Sequence, residues 1–246
     1  MRLRLVLFAA GALGLGAAYF AAARGLPPVG GYSGAYGEVL NAVSVGERHA
    51  TDVVSAVNFD YRGLDTLGEE FILFASVLGV ATILRKQQGD EEDRNEPAWQ
   101  ARQAPDSDAV RVLGVWLVPL TVSFGLYMIS HGAVSPGGGF QGGVVLATAP
   151  LVIYLCATAK TFLRIAPPWL TKAAEAIGAG GYVVIGCLGV LAGKQFLENV
   201  LPLGTPGAAW SSGTILFLNL TVGIAVAAGF VELLAIFIEE VLRRET

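Results

Sequence analysis

Six long apolar stretches constrain the fold of this 246-residue chain more than any other feature. They are approximately Leu3–Ala23, Leu67–Leu84, Val110–Ile129, Phe140–Ala159, Ala173–Ala192 and Gly213–Ile238. About 20 apolar residues in a helix cross the roughly 30 Å hydrocarbon core of a bilayer. A chain in lipid must satisfy its backbone hydrogen bonds internally, so each stretch is expected to be a helix. The sequence therefore predicts an all-α integral membrane protein with about six transmembrane helices.

The composition agrees with this class. Only 15% of the residues are charged, against roughly 25% in soluble domains. No basic stripe indicates a nucleic-acid partner, and no Ser/His/Asp or metal-ligand constellation indicates an enzyme, so we expect neither cofactor nor metal. Cys156 and Cys187 both lie in apolar stretches, where they form neither a disulfide framework nor a metal pattern.

The basic residues predict an orientation. With six spans and a cytoplasmic N-terminus, most of the 16 Lys and Arg residues fall on the cytoplasmic side, and the exceptions are Arg24, Arg48, Arg62 and Lys194. This asymmetry follows the positive-inside rule, and it places both termini in the cytoplasm. Arg2 and Arg4 would also suit a signal peptide, but the first stretch is long for one. We expect a retained helix there.

The spacing of the stretches indicates two membrane modules. Residues 1–84 hold two helices joined by a long loop, in which Ala50–Phe59 alternates like a short interfacial helix. Residues 85–109 are rich in charge, Gln and Pro and are predicted to be a cytoplasmic linker. Residues 110–246 hold four helices. We therefore expect a fusion of two smaller membrane units.

Three carboxylates, Asp65, Glu69 and Glu70, open the second stretch. Thr66 and Glu69 match a capping box, in which the Thr hydroxyl and the Glu carboxylate each accept from a backbone N–H at the helix start. Carboxylates at the mouth of an apolar helix can also take up a cation or a proton. The two interpretations are compatible, and both stay open at this point.

A glycine-rich turn joins the third and fourth stretches after His131. Its spacing predicts close approach of another backbone, and the residues concerned are Pro136, Gly137, Gly138, Gly139, Gly142 and Gly143. His131 is either a structural residue at a helix end or a group that titrates near neutral pH.

Two prolines and one carboxylate interrupt the apolar spans. Pro119 and Pro150 each remove a helical hydrogen bond and are predicted to kink their helices. Such breaks either line ion sites or serve packing. Glu232 lies well inside the last stretch, where a carboxylate is costly and is a functional candidate. The alternative for Glu232 is a snorkelling or protonated residue near the cytoplasmic end.

Several ordered motifs resemble one membrane family. The run His131–Gly143, which ends in Pro-Gly-Gly-Gly-Phe-Gln-Gly-Gly, resembles the B subunit of multisubunit monovalent cation/proton antiporters, as do Phe196–Gly207, Ser211–Ile215 and Asn219–Gly223. This resemblance covers roughly residues 110 to 241. Phe59–Glu69 is similar to a different module, which ends the antiporter's large A-type subunit or stands alone in membrane-bound hydrogenases.

The resemblance implies a transporter subunit of a prokaryotic plasma (inner) membrane, which makes and breaks no chemical bond. It implies A-, C-, D-, E-, F- and G-type partner subunits, and exchange of Na+ or another monovalent cation for H+. Asp65 and Glu69 are its best candidates for ion handling. Many relatives have a His where this chain has Ala133, and many have a charge soon after Gly223, where this chain has none. A scaffold subunit of a hydrogenase or another redox-driven ion pump is the alternative.

Overall fold

The computed structural model describes residues 2–26, 34–84 and 107–244. Within these ranges the helices are α1 (Arg2–Arg24), α2 (Ala35–Arg48), α3 (Val53–Ala56), α4 (Gly63–Ile83), α5 (Asp108–Ser130), α6 (Gly139–Cys156), α7 (Ala159–Ile165), α8 (Pro168–Leu191) and α9 (Thr214–Arg244), with a π-helical turn at Val57–Tyr61. In the described residues, six helices are long and apolar enough to cross a membrane: α1, α4, α5, α6, α8 and α9. The predicted class and the predicted number of spans are confirmed.

Some helix ends differ from the predicted boundaries, and local chemistry explains the difference at the end of the fourth span. The fourth span ends at Cys156 rather than at Ala159. Thr158 caps the short helix α7, because its side-chain oxygen accepts from the backbone N–H of Thr161 at 3.2 Å. Pro168 then occupies the first turn of α8, where its fixed φ suits a helix start.

The chain divides into two compact units, Met1–Val39 and Leu40–Thr246. The first unit contains α1, whose side chains are exposed from residue 5 onward. The second unit contains the other five spans. The predicted division into residues 1–84, 85–109 and 110–246 stays a prediction, and residues 85–106 of the predicted cytoplasmic linker lie outside the described ranges.

Helix α9 is the centre of the second unit. It packs against α4, α5, α6 and α8, and 44% of its most apolar window is buried, against 17% for α4 and for α5. Ile215, Leu218, Val222 and Val226 of α9 are fully buried together with Tyr182 of α8. Because α4 shares this core with α8 and α9, the second apolar stretch is part of the same bundle as the last four.

Glycines bring these helices close together. A Cβ added at Gly178 of α8 would lie 2.5 Å from the backbone nitrogen of Ala225 in α9. A Cβ at Gly142 of α6 would lie 2.8 Å from the backbone oxygen of Gly125 in α5. No side chain fits at such distances, so backbone packs against backbone at both crossings.

Candidate functional site

A buried polar network joins the glycine-rich turn to α3 and α9. Asn219 Oδ1 accepts from the backbone N–H of Gly139 at 2.9 Å, and Asn219 Nδ2 donates to Ile215 O at 3.1 Å and to Ser55 Oγ at 3.5 Å. Ser55 Oγ donates in turn to Gly132 O at 2.5 Å. Asn219 is fully buried and Ser55 nearly so. The network fixes the turn between α5 and α6 against the central helix.

The turn itself needs glycine at two positions. Gly137 has φ 147° and Gly138 has φ 127°, a region that other residues rarely adopt. A Cβ at Gly139 would lie 2.6 Å from the backbone oxygen of Asn219, and one at Gly143 would lie 2.9 Å from that of Gly223. Pro136, by contrast, is exposed at the tip of the turn.

His131 caps the C-terminal end of α5. Its ring stacks on Tyr127 with centroids 4.3 Å apart, and its Nδ1 lies 3.1 Å from Ser130 Oγ. Both contacts are with α5 itself. The structure thus places His131 at the turn, apart from the carboxylates described next.

The carboxylates at the start of α4 occupy two different environments. Asp65 pairs with Arg62, and both side chains are more than half exposed. Glu69 is also exposed, whereas Glu70 is only 3% exposed. The predicted capping box is wrong, because α4 begins at Gly63 and Thr66 lies within it. The Thr66 hydroxyl donates to Asn58 O at 2.7 Å instead of accepting from a helix N–H.

Glu70 belongs to a line of three carboxylates on three helices, together with Glu175 of α8 and Glu232 of α9. Glu175 is 8% exposed, and Glu232 is half-buried. One oxygen of each is buried without a hydrogen-bond partner. Glu70 and Glu232 were predicted from the sequence as functional candidates, whereas Glu175 was not. Its intramembrane position was the available signal, because carboxylates within spans are rare and functional.

Glu175 lies in the middle of this line, at the interface of α4, α8 and α9. Its Oε1 is 3.6 Å from the position that a Cβ on Gly229 would occupy, and Leu73 and Val77 of α4 border the same point. Gly229 lies one helical turn before Glu232 on α9. The absence of a side chain at Gly229 leaves room for the Glu175 carboxylate.

A cavity of about 460 Å³ opens beside Glu232, towards the end of α9. Its polar lining includes Lys172, Glu232, Glu239 and Glu240, and side chains of α4, α6, α7, α8 and α9 complete its walls. Lys172 lies one turn before Glu175 on α8. The cavity therefore brings charged groups to one end of the carboxylate line.

A second cavity, of about 610 Å³, lies at the opposite end of the bundle, outside the spans. Arg48 Nε is 2.5 Å from Asp60 Oδ1, and Tyr61 Oη donates to Glu47 at 2.8 Å. Burial raises the pKa of Asp60, although Arg48 acts against this shift. Burial and the bond to Glu47 raise the pKa of Tyr61 to about 12.

Lys194 and Glu198 border this second cavity and form an exposed ion pair at 3.5 Å. Their four-residue spacing suits a pair along a helix at the outer end of the fifth span. Helix α8 ends at Leu191, however, so the pair lies in the following loop.

The sequence matches a known domain family and two curated proteins. Residues 109–232 match a domain related to the MnhB subunit of the Na+/H+ antiporter. The uncharacterized protein MJ1307 of Methanocaldococcus jannaschii is 31% identical over 195 residues, which are 72% of each protein. A probable K+/H+ antiporter protein of Rhizobium meliloti, the A/B subunit, is 29% identical over 159 residues, which are 55% of this chain but only 16% of that protein.

Two solved structures have the same fold over nearly the whole chain. One is a chain of the membrane-bound sulfane sulfur reductase, an archaeal respiratory membrane complex, with a TM-score of 0.71, 28% identity, and coverage of 96% of this chain and 98% of that one. The other is a chain of the Mrp complex from Dietzia sp. DQ12-45-1b, with a TM-score of 0.71, 26% identity, and coverage of 94% and 25%. The chain belongs to the family of membrane proteins that carry a domain related to the MnhB subunit of the Na+/H+ antiporter.

Proposed function

We propose that this protein is a non-catalytic membrane subunit of a multisubunit antiporter that exchanges Na+ or another monovalent cation for H+. The observation that carries the proposal is the match of residues 109–232 to the MnhB-related domain. The likeness of 94% of the chain to part of an Mrp complex supports it. Its partners are then the A-, C-, D-, E-, F- and G-type subunits, and its location is the prokaryotic plasma membrane.

The exposed face of α4 is the surface that we assign to a partner subunit. Glu69 is exposed on this spanning helix, and Leu64, Phe71 and Ile72 of the same helix are 55–68% exposed. A carboxylate that faced lipid at this depth would be costly. Contact with another subunit removes that cost and places Glu69, with Asp65 nearer the helix start, at an interface where ions can pass.

A redox-driven ion pump is the second candidate for the parent complex. The match to a chain of the sulfane sulfur reductase covers 98% of that chain, whereas the Mrp chain is about four times as long as the matched part. The family match, however, names an antiporter subunit. The two complexes differ in their other subunits, so composition distinguishes them.

Purification of the tagged protein from its native membrane tests the proposal. We expect antiporter-type subunits to co-purify, and we expect Na+- or K+-dependent proton exchange in inverted vesicles to disappear when this gene is deleted and to return with the wild-type gene. Glu69→Ala should assemble but exchange poorly, while the exposed Glu38→Ala serves as a control. Co-purification of iron–sulfur subunits, with exchange unaffected by the deletion, would assign the protein to a redox complex instead.

A further inference from the structure

We propose that Glu70, Glu175 and Glu232 form a proton path inside this subunit, which opens at the cavity beside Glu232 and leads to the partner-facing side of α4. This inference deepens the proposed function and rests on it. The path assigns a role to Glu175, which the sequence motifs do not single out.

Glu70 lies at a different depth from the other two carboxylates, and Glu232, about 27 Å along α9 from Thr214, is nearly level with Glu175. At about 1.5 Å per residue, Glu70 lies about 10 Å from the start of α4 at Gly63. Helix α8 follows the opposite direction, and Glu175 lies about 10 Å from its start at Pro168. Glu175 Oε1 and Val77, which lies two turns beyond Glu70 on α4, border the same point at Gly229, one turn before Glu232. Each step from one carboxylate to the next therefore joins neighbouring helices, with Glu175 as the middle member.

The burial of these groups points to a ligand. Glu70 and Glu175 are both more than nine-tenths buried, and Oε1 of each has no hydrogen-bond partner. Burial of an oxygen without a hydrogen-bond partner costs free energy, and burial of an ionised carboxylate without a partner costs more. A bound proton removes the charge. The arrangement therefore suits groups that take up and release protons.

The geometry fits a proton better than a metal cation. A cation such as Na+ or Ca2+ is held by several oxygen atoms that converge on one point. Among the residues that the structure describes, no three His, Cys, Asp or Glu side chains come together in this way. The carboxylates instead follow one another from helix to helix, as they do in proton relays of pumps and transporters.

The path is open at one end and closed at the other. The cavity beside Glu232 is also lined by the charged residues Lys172, Glu239 and Glu240. Beyond Glu70, Tyr182 is fully buried, packs on Phe59, and donates to Gly63 O at 2.8 Å. Phe59 and Tyr182 share a buried cluster with Leu197, which lines the second cavity, so packed side chains lie between Glu70 and that cavity. The remaining exit is sideways, through the neighbouring Glu69 on the exposed face of α4.

Amide substitutions in the assembled complex test the path. We expect Glu175→Gln and Glu70→Gln each to lower cation-driven proton exchange in proteoliposomes at least tenfold, with complex yield on native gels unchanged. The double variant should be no slower than the slower single variant, because both groups serve one path. Glu175→Asp should retain part of the rate, because it keeps a carboxyl group. Glu38→Gln, the same change at an exposed site, is the matched control.

Infrared spectroscopy supplies a readout that does not depend on transport. The wild-type complex should show a protonated-carboxyl C=O band that shifts in D2O and weakens in each Gln variant. Normal exchange in assembled Glu175→Gln would overturn the path, and so would the absence of such a band in the wild type. If a Gln variant does not assemble, Glu232→Gln at the cavity decides by the same two measurements. If the proposed function is wrong, the wild-type complex itself shows no cation-driven proton exchange. This outcome differs from failure of the path, in which the wild type and the Gln variants exchange equally well.

Discussion

At the scale of single residues, Asn219 should be important for stability. We expect Asn219→Leu, which keeps a similar size, to lower the free energy of unfolding by about 1–3 kcal/mol, because the buried N–H of Gly139 loses its acceptor. The denaturation midpoint of the purified complex in detergent measures this change. Ile224→Leu on the same helix is the control, because Ile224 is 40% exposed. The free energy of unfolding of this variant should be within about 0.5 kcal/mol of the wild-type value. Equal midpoints for the two variants would contradict a stabilising role of the network.

The environments of the intramembrane carboxylates could be predicted only in part from the sequence. The apolar pattern located Glu70 and Glu232, because any carboxylate in a span is unusual. It could not distinguish exposed Glu69 from buried Glu70. Adjacent side chains on a helix point about 100° apart, so only one of the two faces the core. Which one does so depends on where α8 and α9 pack. Glu175 was missed because it lies near the start of its span, where a carboxylate is easily taken for an interfacial residue.

At the scale of helices, the crossing of α8 and α9 depends on Gly178. We expect Gly178→Ala to lower the free energy of unfolding by about 1–3 kcal/mol, since the new methyl group would overlap the backbone of Ala225. Gly180→Ala, on the same helix, is the matched control, because a Cβ there meets nothing within 4 Å. Gly180→Ala should be neutral or slightly stabilising, and thermal unfolding of both variants measures the difference. A Gly178→Ala protein as stable as the Gly180→Ala protein would show that the helices separate at little cost.

Long helices were easier to predict than short ones. Hydropathy alone located all six spans, because 20 consecutive apolar residues have few alternatives to a membrane helix. The alternation at Ala50–Phe59 indicated a helical segment, and the structure has α3 and a π-helical turn over Val53–Tyr61. Helix α7 was not predicted, because its seven residues carry too little periodicity. Helices α5 and α6 continue through Pro119 and Pro150, and the predicted kinks stay predictions.

At the scale of the whole molecule, the central place of α9 could not be derived from the sequence. Helix α9 has the highest mean hydropathy of the described spans, 2.3, but α1 and α5 both reach 2.0 with 0% and 17% of their windows buried, so hydropathy does not identify a central helix. The glycines of α6 and α8 that meet α9 indicate close packing, but a glycine does not specify its partner. Only the fold shows that Gly143 meets Gly223 and that Gly178 meets Ala225. The carboxylate line follows from this arrangement, because α4 and α8 both pack on α9.

The orientation of the molecule in the membrane gives the last prediction. Asp108 is the first residue of α5 and Ser135 lies beyond its last, so a membrane-spanning α5 places them on opposite faces, and the positive-inside rule puts Asp108 in the cytoplasm. In a chain with Cys156→Ala and Cys187→Ala, a membrane-impermeant maleimide added to intact cells should label Ser135→Cys and not Asp108→Cys. Inverted vesicles should show the reverse pattern. Labelling of Asp108→Cys in intact cells would reverse the topology, and the cavity at Glu232 would then take its protons from outside the cell.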